Sequence, residues 1–544
     1  MRRTRLTLPA LWALAAAGCA VGPDYHAPKP AAPAAFGEVR PAGATGAAGP
    51  TPSPSEAELA RWWTVLGDPE LNSLVERALR NNRDLKTAVS RVRQARAERS
   101  VAAGALLPEL DATAGYNRSL GSRNVVLPLG ALLGSSGGAS SGKSGASSGS
   151  SSTPSSARGL QPRDASSSSP SAGSPASAAP PGGPQSPFGE GGLPGVTTNL
   201  FQAGLDAVWE VDVFGGTRRA VEAADAEVTA AQEGQYGVQV SLLGEVATTY
   251  LQLRLTQERV QVTRRNIDSA RQTWRIAQDK FEQGLGDQVE AAQDLAQLKV
   301  DETVLPPLAA SERLAEHALA FLLGAESTAL AAELSAPQPL PALPPTVPVG
   351  VPSEVLRRRP DVRRAERELA AASAQIGEAT AQLYPQFSLT GSLGVDSSTL
   401  RQLPEWSSRY FSIAPGISWP ILDWSRLHAA VRVQNELEAQ ALLAYETAVA
   451  QALKDVEDAL VQLQFEQDRR TGLVAAVAEA RRAQQVTAEI YSQGLADQTA
   501  SLQAERAVFQ AEDSLAQSEG ALRVDLVALY KALGGGWTVP TQGS

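Results

Sequence analysis

The stretch FEQGLGDQ at residues 281–288 recurs later in the chain as YSQGLADQ at residues 491–498. The two copies lie 491 − 281 = 210 residues apart. Two further pairs share this offset: Trp209 with Trp419, and LLGEVATTYLQL at 242–253 with ALKDVEDALVQL at 452–463. Several matches at one fixed offset are the signature of an internal repeat. The sequence therefore contains a duplicated unit, with no net insertion across this region.

Each copy of the motif ends a long segment that is suited to a helix. Residues 217–283 and 425–493 contain no proline, in a chain that has 36. Apolar residues recur along both segments at coiled-coil spacing: Val246, Leu253, Val260, Ile267, Trp274 and Phe281 in the first, and Val449, Leu453, Val456, Leu460 and Leu463 in the second. At 1.5 Å per residue each helix is predicted to be roughly 100 Å long, enough to cross much of a periplasm. Gly284 and Gly494 are then the helix-tip turns.

The chain returns from each tip in shorter helical segments. We predict helices over about 287–324 and 353–383 after the first tip and over 497–533 after the second, with a helix over 69–107 completing the second return. The proline-rich stretch Pro337–Pro352 separates the first two. Breaks at the middle of both returns predict an equatorial belt.

Four segments alternate apolar and polar residues, which is the pattern of a strand with two different faces. They are LDATAGYN at 110–117, NLFQAGLDAVWEVD at 199–212, PQFSLTGSLGVD at 385–396 and YFSIAPGISWPIL at 410–422. Their length suits tilted membrane strands, although a soluble half-buried sheet has the same period. Aromatic residues near the strand ends favour the membrane: Trp209, Tyr410, Phe411 and Trp419. Because four strands cannot close a barrel and lipid does not tolerate an open edge, membrane strands would make the chain an obligate oligomer.

A phosphate-loop pattern occurs inside an insertion in the first copy. LLPEL at 106–110 matches LYPQF at 383–387 at an offset of 277, so the first copy holds 277 − 210 = 67 extra residues. The tract 134–195, rich in Ser, Gly and Pro, accounts for almost all of them and cannot bury enough apolar surface to fold. GGASSGKS at 137–144 lies in this tract without the strand and helix that a phosphate loop needs. We predict an extracellular loop and no nucleotide binding.

The N-terminus has the features of an export signal. Arg2, Arg3 and Arg5 precede the short apolar run LTLPALWALAAAG, and the only cysteine follows it at Cys19. This resembles the bacterial lipoprotein signal, in which Cys19 would be acylated; an ordinary signal peptide with an incidental cysteine is the alternative. Ala20 in the next position implies the outer membrane.

Composition excludes several other functions. The formal charge of −10 argues against nucleic acid, and one cysteine with three scattered histidines gives no metal cluster. No nucleophile–base pair is evident either. We therefore expect no enzyme activity, no catalytic residues, no metal and no cofactor.

The motifs together resemble a known family. AVGPDYHAP after Cys19, WWTVLGDPELNSLVERAL at 62–79, VLRRRPDVRRAERELAAASAQIGEATAQLYPQFSLTGSLG at 355–394 and the two tip motifs are similar to the TolC-like outer-membrane efflux proteins, in their lipoprotein (NodT/OprM-type) branch. The resemblance implies a mainly α fold with a small β part. It further implies a homotrimer that shares one twelve-stranded outer-membrane barrel, four strands per chain, continuous with a periplasmic barrel of long helices.

The resemblance also implies a function without bond chemistry. The trimer would be the exit duct of a tripartite efflux system, lipid-anchored in the outer membrane and extending into the periplasm. A periplasmic adaptor and an inner-membrane pump of the RND type would deliver small toxic compounds or drugs to it. A duct for type I protein secretion is the alternative, and a periplasmic adaptor or a structural lipoprotein are further ones that fit the two-copy pattern less well.

The domain boundaries follow from the repeat. We place the signal peptide at 1–18, an anchored extension at 19–68, repeat 1 at 69–330 with its 134–195 insertion, a proline-rich equatorial linker at 331–352, repeat 2 at 353–534 and a tail at 535–544.

In this family the helix tips close the periplasmic entrance, so the candidate gate residues lie there. The carboxylates that could ring the constriction are Asp287, Glu290 and Asp294 in the first copy, and Asp497 and Glu505 in the second. Ordinary solvated helix faces are the alternative for each. Gln503 stands where many relatives have an aspartate, which puts the acidic ring there in doubt. Phe281 and Tyr491 are expected to pack the tips and to help hold them shut.

Overall fold

A computed structural model describes residues 20–29, 33–37, 55–121, 196–344, 350–493, 495 and 498–538. The expectations for the signal peptide, Cys19, the 134–195 insertion, Gly494, Asp497 and the last residues of the tail fall outside this described part. The chain divides into a helical unit (Met1–Pro108, Trp209–Ser388 and Gly416–Ser544) and a strand unit (Glu109–Val208 and Leu389–Pro415).

The described residues form eleven α-helices. They are α1 Glu56–Ala60, α2 Pro69–Asn81, α3 Arg83–Gly104, α4 Gly216–Glu282, α5 Gln288–Glu302, α6 Leu305–Leu322, α7 Ala331–Leu334, α8 Pro352–Arg358, α9 Pro360–Ala381, α10 Trp424–Ser492 and α11 Gln498–Ala532. Short 3₁₀ turns lie at Trp62–Leu66, Leu400–Gln402, Trp406–Ser408 and Ile421–Asp423.

The two long helices are confirmed. Helix α4 has 67 residues and α10 has 69, and each begins and ends within one residue of the proline-free segment. Val246, Leu253 and Ile267 of the first heptad series are almost fully buried. The series weakens toward the tip, where Trp274 is half-buried and Phe281 is 38% exposed. The coiled-coil spacing therefore marks the packed face for most of the helix.

The shorter helices are more divided than expected, and the predicted continuous segments are wrong in three places. The return over 287–324 is broken between α5 and α6 because Pro306 and Pro307, in the first turn of α6, cannot donate backbone hydrogen bonds. Pro360 likewise separates α8 from α9. Asn82 separates α2 from α3: its backbone is extended at ψ 135°, and its side chain accepts the Leu85 amide at 2.9 Å as an N-cap.

The main hydrophobic core of the helical unit packs on one face of α4. We use "main core" for the cluster around Trp62, Leu71, Leu243, Tyr250 and Tyr530, all at most 4% exposed. The Trp62 and Tyr530 rings are stacked with centroids 5.4 Å apart. The tail also joins the core region, since the Gly536 amide donates to Leu59 O at 2.8 Å. The chain around α1 and the chain after α11 thus meet, and Gly536 lies against Leu243 of the first long helix.

A buried arginine ties α9, α10 and α11 together. The Arg359 guanidinium donates to Asp361 at 2.6 Å and to Asp455 at 2.8 Å, and it also reaches the Ala532 carbonyl at 3.2 Å. Ala532 is the last residue of α11, where a cation is favoured by the exposed carbonyls of a helix C-terminus. The junction of these three helices is therefore held by charge-assisted bonds.

The described residues that follow position 19 lie against the start of α4. The Val21 amide donates to Phe214 O at 3.0 Å, and Arg219 donates to Asp24 at 2.6 Å. Gly22 is required there: its φ is +97°, and a Cβ would lie 2.4 Å from Gly377 Cα. The chain just after the cysteine is therefore fastened to the helical unit.

The four predicted strands are confirmed as one antiparallel sheet. The strands are β1 Glu109–Leu120, β2 Thr197–Val211, β3 Gln386–Ser397 and β4 Arg409–Ser418, in the order β1-β2-β3-β4. The β1–β2 register runs from Glu109 opposite Val208 to Leu120 opposite Thr197. Large apolar side chains on the strands are exposed, among them Phe411 (78%) and Ile413 (71%). Within the described residues, the outer edges of β1 and β4 pair with no other strand.

One hydrogen bond occurs at equivalent places in both repeats. Trp209 Nε1 donates to Leu106 O at 3.0 Å, and Trp419 Nε1 donates to Leu383 O at 3.1 Å. The tryptophans differ by 210 positions and the acceptors by 383 − 106 = 277, the two offsets found in the sequence. The internal repeat is thus present in the hydrogen bonding as well as in the amino-acid sequence.

Candidate functional site at the helix tips

The first tip is a tight glycine turn. After α4, Gly284 has φ +71°, a conformation that glycine adopts without strain. The Gly284 amide donates to Phe281 O at 2.9 Å and the Leu285 amide to Lys280 O at 2.8 Å, which caps the end of the helix. Asp287 then caps the start of α5, accepting the Val289 amide at 3.1 Å.

A side-chain network joins the two tips. Lys280 Nζ, on α4, donates to the Tyr491 hydroxyl at 3.1 Å and lies 4.7 Å from the centre of its ring. The same hydroxyl donates to Glu290 Oε1 on α5. Tyr491 is at the end of α10, so one phenol connects three helices and both copies of the motif. Its ring and its hydroxyl both contact charged groups, in an arrangement that favours charge-assisted bonds.

Behind the tips lies a layer of half-buried and buried carboxylates. Glu505 on α11 accepts the Thr273 hydroxyl of α4 at 3.2 Å. Burial raises the pKa of Glu505, and the negative charges of Asp294 and Asp301 raise this pKa further. Burial also raises the pKa of Asp301, against hydrogen bonds from Gln297 and Asn266 that lower it. Glu505 and Asp301 therefore favour their protonated forms more than free carboxyls do.

The sequence candidates are placed unequally. Asp287 is exposed as a helix cap, and Gln503 is exposed on α11. Glu290 is half-buried and belongs to the Tyr491 network. Asp294 is only 2% exposed, so within one chain it does not present an accessible carboxylate of the kind expected. Asp497 lies outside the described residues.

Sequence reasoning missed three participants: Lys280, Thr273 and Asp301. Of the three, only Lys280 could have been found from the sequence. It directly precedes the motif FEQGLGDQ, and a cation in the last turn of a helix is favoured by the helix dipole. Phe281 and Tyr491, which occupy equivalent positions, were expected to pack alike. Their environments differ: the Tyr491 hydroxyl is hydrogen-bonded to Glu290 across the tips, whereas Phe281 is partly exposed.

No described helix is both long enough and apolar enough to cross a membrane. No group of three or more His, Cys, Asp or Glu side chains among the described residues is arranged to hold a metal ion.

The chain matches a family of known proteins. The family model described as "Outer membrane efflux protein" matches residues 74–325 and 351–535. The chain belongs to this family. It is an outer-membrane efflux channel and not an enzyme, and its fold is that of the TolC-like channels.

Relatives and solved structures agree along nearly the whole chain. The pyoverdine export outer membrane protein OpmQ of Pseudomonas putida is 30% identical, over 90% of this chain and 91% of that protein. The cation efflux system protein CusC of Escherichia coli K12 is 26% identical, over 97% and 99%. The structure of the outer-membrane channel OprN is 31% identical with a TM-score of 0.77, over 96% of this chain and 100% of that one.

Proposed function

We propose that this chain is the exit duct of a tripartite efflux system, working as a lipid-anchored homotrimer. An inner-membrane pump of the RND type and a periplasmic adaptor would deliver small toxic compounds, which leave passively through the trimer. The single observation that carries the proposal is the open four-stranded sheet with exposed apolar side chains on a chain with two very long helices.

The sheet supports a shared barrel. Phe411, Ile413 and Ile417 of β4 are at least 70% exposed and fall on one face, because alternate residues of a strand share a face. Such a face suits the hydrocarbon of a bilayer. The free edges of β1 and β4 need partners in lipid. Three copies would supply twelve strands, and each β1 would pair with β4 of a neighbour.

The tip network supports a regulated entrance. The Tyr491 hydroxyl holds Lys280 and Glu290 together where α4 and α10 end and α5 begins. In the proposed trimer this network keeps the tips close, and the carboxylates Asp287, Glu290 and Asp497 are the candidates for the constriction. The Asp294 and Glu505 carboxylates lie further along α5 and α11, away from the tip turns. Their role in the trimer would be to stabilise or destabilise the packing of the helices next to the tips.

The chain after position 19 supports the anchor. Residues 21–24 are bonded to the start of α4, just after β2 leaves the sheet. An acyl chain on Cys19 would therefore anchor the chain just before a segment that is bonded to the helical unit.

The class of cargo is proposed from the relatives. OpmQ is described by export of pyoverdine and CusC by cation efflux, and both cargoes are small. We therefore place small molecules ahead of secreted polypeptides for this chain.

A pair of neighbouring substitutions on β4 tests the barrel. Ile413→Arg puts a charge on the proposed lipid face, which costs about 2–4 kcal/mol at the bilayer midplane. We expect it to abolish trimers that insert into planar bilayers and conduct ions. Ser412→Arg is the matched control, because its side chain is on the other face and a charge is tolerated there.

The outcomes separate the possibilities. Equal behaviour of the two variants would contradict a membrane-facing strand. Well-folded trimers that conduct neither as the wild type nor after Tyr491→Phe, a change expected to open the tips, would support a structural lipoprotein over a sealed duct. Export of a polypeptide, with no protection of cells against small toxic compounds, would support the secretion duct.

A further inference from the structure

Four helices of the helical unit pack side by side as a row. Helix α3 packs on α4, α4 packs on α9, and α9 packs on the first half of α10 (residues 424–458). The two ends of this row are therefore α3 and the first half of α10. Each of them has one face against its neighbour, and the opposite face is exposed within the part of the chain that the structure describes.

The exposed face of α3 is a stripe with helical spacing. Leu85, Ala88 and Val92 are the buried residues of this helix. Roughly opposite to them lie five exposed residues: Lys86, Ser90, Arg93, Ala97 and Val101. Val101 is 77% exposed. The small residues of the stripe leave a groove that a side chain of another helix can fill.

The first half of α10 has a matching stripe. Tyr445, Val449 and Ala452 are buried where α10 meets α9. The opposite stripe is exposed throughout and consists of Glu436, Gln440, Leu443, Thr447, Ala450 and Lys454. Leu443 is 61% exposed and is the one large apolar residue among these six. The stripe therefore has one apolar projection, which suits a groove on another helix.

Ion pairs across the row relate the levels of its helices. They are Arg99–Asp225 between α3 and α4 at 3.0 Å, Arg363–Glu233 between α9 and α4 at 2.6 Å, and Arg359–Asp455 between α9 and α10 at 2.8 Å. Helix α9 is antiparallel to α4, because Gly377 lies against Arg219. It is antiparallel to α10 as well, because Val362 clusters with Val449.

The steps along the helices place Leu443 level with Arg99. The paired residues on α4 are eight positions apart and those on α9 are four apart, and both steps lead toward the start of α10. The level of Arg99 is therefore twelve residues before Asp455, at position 455 − 12 = 443. The count agrees at the other end of α3, where Asn82 and Asp458 line one cavity at 17 residues from Arg99 and 15 residues from Leu443.

A closed ring of identical chains brings together surfaces at the same level, because rotation about the ring axis moves no residue along that axis. This step rests on the proposed function, in which three copies form such a ring with the long helices along its axis. The level of Leu443 lies between Ala97 and Val101 of α3. We propose that the exposed stripe of α10 packs on the exposed stripe of α3 of a second copy, with the Leu443 side chain between Ala97 and Val101.

The charges of the two end helices favour a second copy as the partner. Helix α3 has six cationic and two acidic residues, whereas the first half of α10 has six acidic and three cationic ones. Arg93 and Glu446 are exposed and belong to no ion pair of the described residues. They differ in level by three residues, about 4–5 Å, so Arg93 can reach Glu446 of the next copy. Each copy thus carries both halves of one complementary contact.

A disulfide between copies tests the contact. Ala97→Cys and Leu443→Cys are introduced together into the full chain, whose only other cysteine is Cys19, and membranes are oxidised and run on a non-reducing gel. Helices α4 and α9 separate the two positions within one chain, so a link between copies gives covalent dimers and trimers. Because a disulfide needs Cα atoms within about 7 Å, we expect these species to be about tenfold more abundant than with either single variant.

A second pair on the same stripes is the matched control. Lys454 is eleven residues, about 16 Å, from Leu443 along α10, so Ala97→Cys with Lys454→Cys should link no better than the single variants. Charge reversal tests the polar part of the contact. Arg93→Glu should lower the yield of the Ala97–Leu443 link by about threefold, as for an exposed ion pair, and Glu446→Arg in the same chain should restore it.

The mass of the native protein in detergent, measured by light scattering, separates this contact from the proposed function. Trimers in which the Ala97–Leu443 pair links no better than the Ala97–Lys454 pair would overturn the contact and leave the duct standing. Monomers throughout would contradict the proposed homotrimer itself. Links from these positions to a different protein in whole cells, with none between copies, would assign the two stripes to an adaptor and overturn the inference.

Discussion

The two helix tips carry the same motif and differ in the side chains around it. Lys280, Glu290 and Asp294 of the first copy correspond, at the offset of 210, to Ile490, Ala500 and Ala504 of the second. Phe281 corresponds to Tyr491. The two charged partners of the network, Lys280 and Glu290, are therefore on one tip, and the hydroxyl that bonds to both is on the other. The two tips are complementary, not equivalent.

This difference indicates how a duplicated chain makes a specific joint. Two identical tips would bring like groups together, and neither copy would offer a partner to the other. By contrast, the Trp209 and Trp419 bonds occur in both copies, and each joins a tryptophan near a strand end to a carbonyl in the turn after a shorter helix. Structural bonds are duplicated, whereas the contact between the tips depends on divergence.

The sharpest test of the complementarity is Tyr491→Phe. This change removes only the hydroxyl, so Lys280 and Glu290 lose their common partner. A hydrogen bond to a charged group contributes about 1.5–3 kcal/mol, so the balance between closed and open tips should shift by about tenfold or more. We expect single-channel conductance in planar bilayers to rise markedly.

The equivalent position in the first copy supplies the control. Phe281 is 38% exposed and forms no such bond, so Phe281→Leu should leave conductance near the wild-type value. If both variants opened the channel equally, general packing of the tips and not the hydroxyl would hold them. An unchanged conductance in Tyr491→Phe would mean that the bonds of Tyr491 to Lys280 and Glu290 do not keep the tips closed.

The shared tryptophan bonds give a second, smaller comparison. Replacing either tryptophan by Phe removes the indole N–H and leaves a carbonyl without its donor. Trp209 is half-buried and Trp419 is 53% exposed, so water replaces the second bond more easily. We expect Trp209→Phe to lower the Tm of the trimer by about 2 °C, and Trp419→Phe by less than about 1 °C. Equal shifts would mean that burial does not distinguish the copies.

Much of the architecture could be predicted because it rests on local or periodic signals. The coiled-coil spacing and the alternation of the strands report which side chains of an element share a face, and the repeat offset carries each assignment from one copy to the other. Gly284 could be placed at a tip because a turn there requires positive φ. The break between α5 and α6 also has a local signal, the pair Pro306–Pro307. This pair lies inside the segment 287–324, which the absence of apolar breaks alone does not divide.

The joint between the tips could not be predicted, because it connects residues far apart in sequence. Tyr491 is 211 positions from Lys280 and 201 from Glu290. No periodicity tells which side chain of one tip meets which of the other. The burial of Asp294 is hidden for the same reason: a carboxylate on a helix looks solvated until its neighbours are known.

The smallest expected effect concerns the pH response of the carboxylate layer. The pKa of Glu505 is raised in the folded chain, first by burial and then by Asp294 and Asp301, while the Thr273 hydroxyl opposes this. Folded Glu505 therefore binds its proton more tightly than unfolded Glu505. The packing between α4, α5 and α11 should be more stable at low pH, and this stability is lost as the pH rises through the raised pKa.

Hydrogen exchange of the backbone near Thr273 and Asp294 measures this directly. Going from about pH 7 to about pH 5, and after correction for the intrinsic rate, exchange should slow by about twofold in the wild type. Glu505→Gln, which is neutral at every pH, should show slow exchange throughout and a weaker pH response, with Asp301 still titrating. Glu479→Gln on the exposed surface of α10 should respond like the wild type. Faster exchange at low pH would mean that the ionised carboxylates, through bonds such as that from Thr273, stabilise the layer more than their mutual repulsion destabilises it.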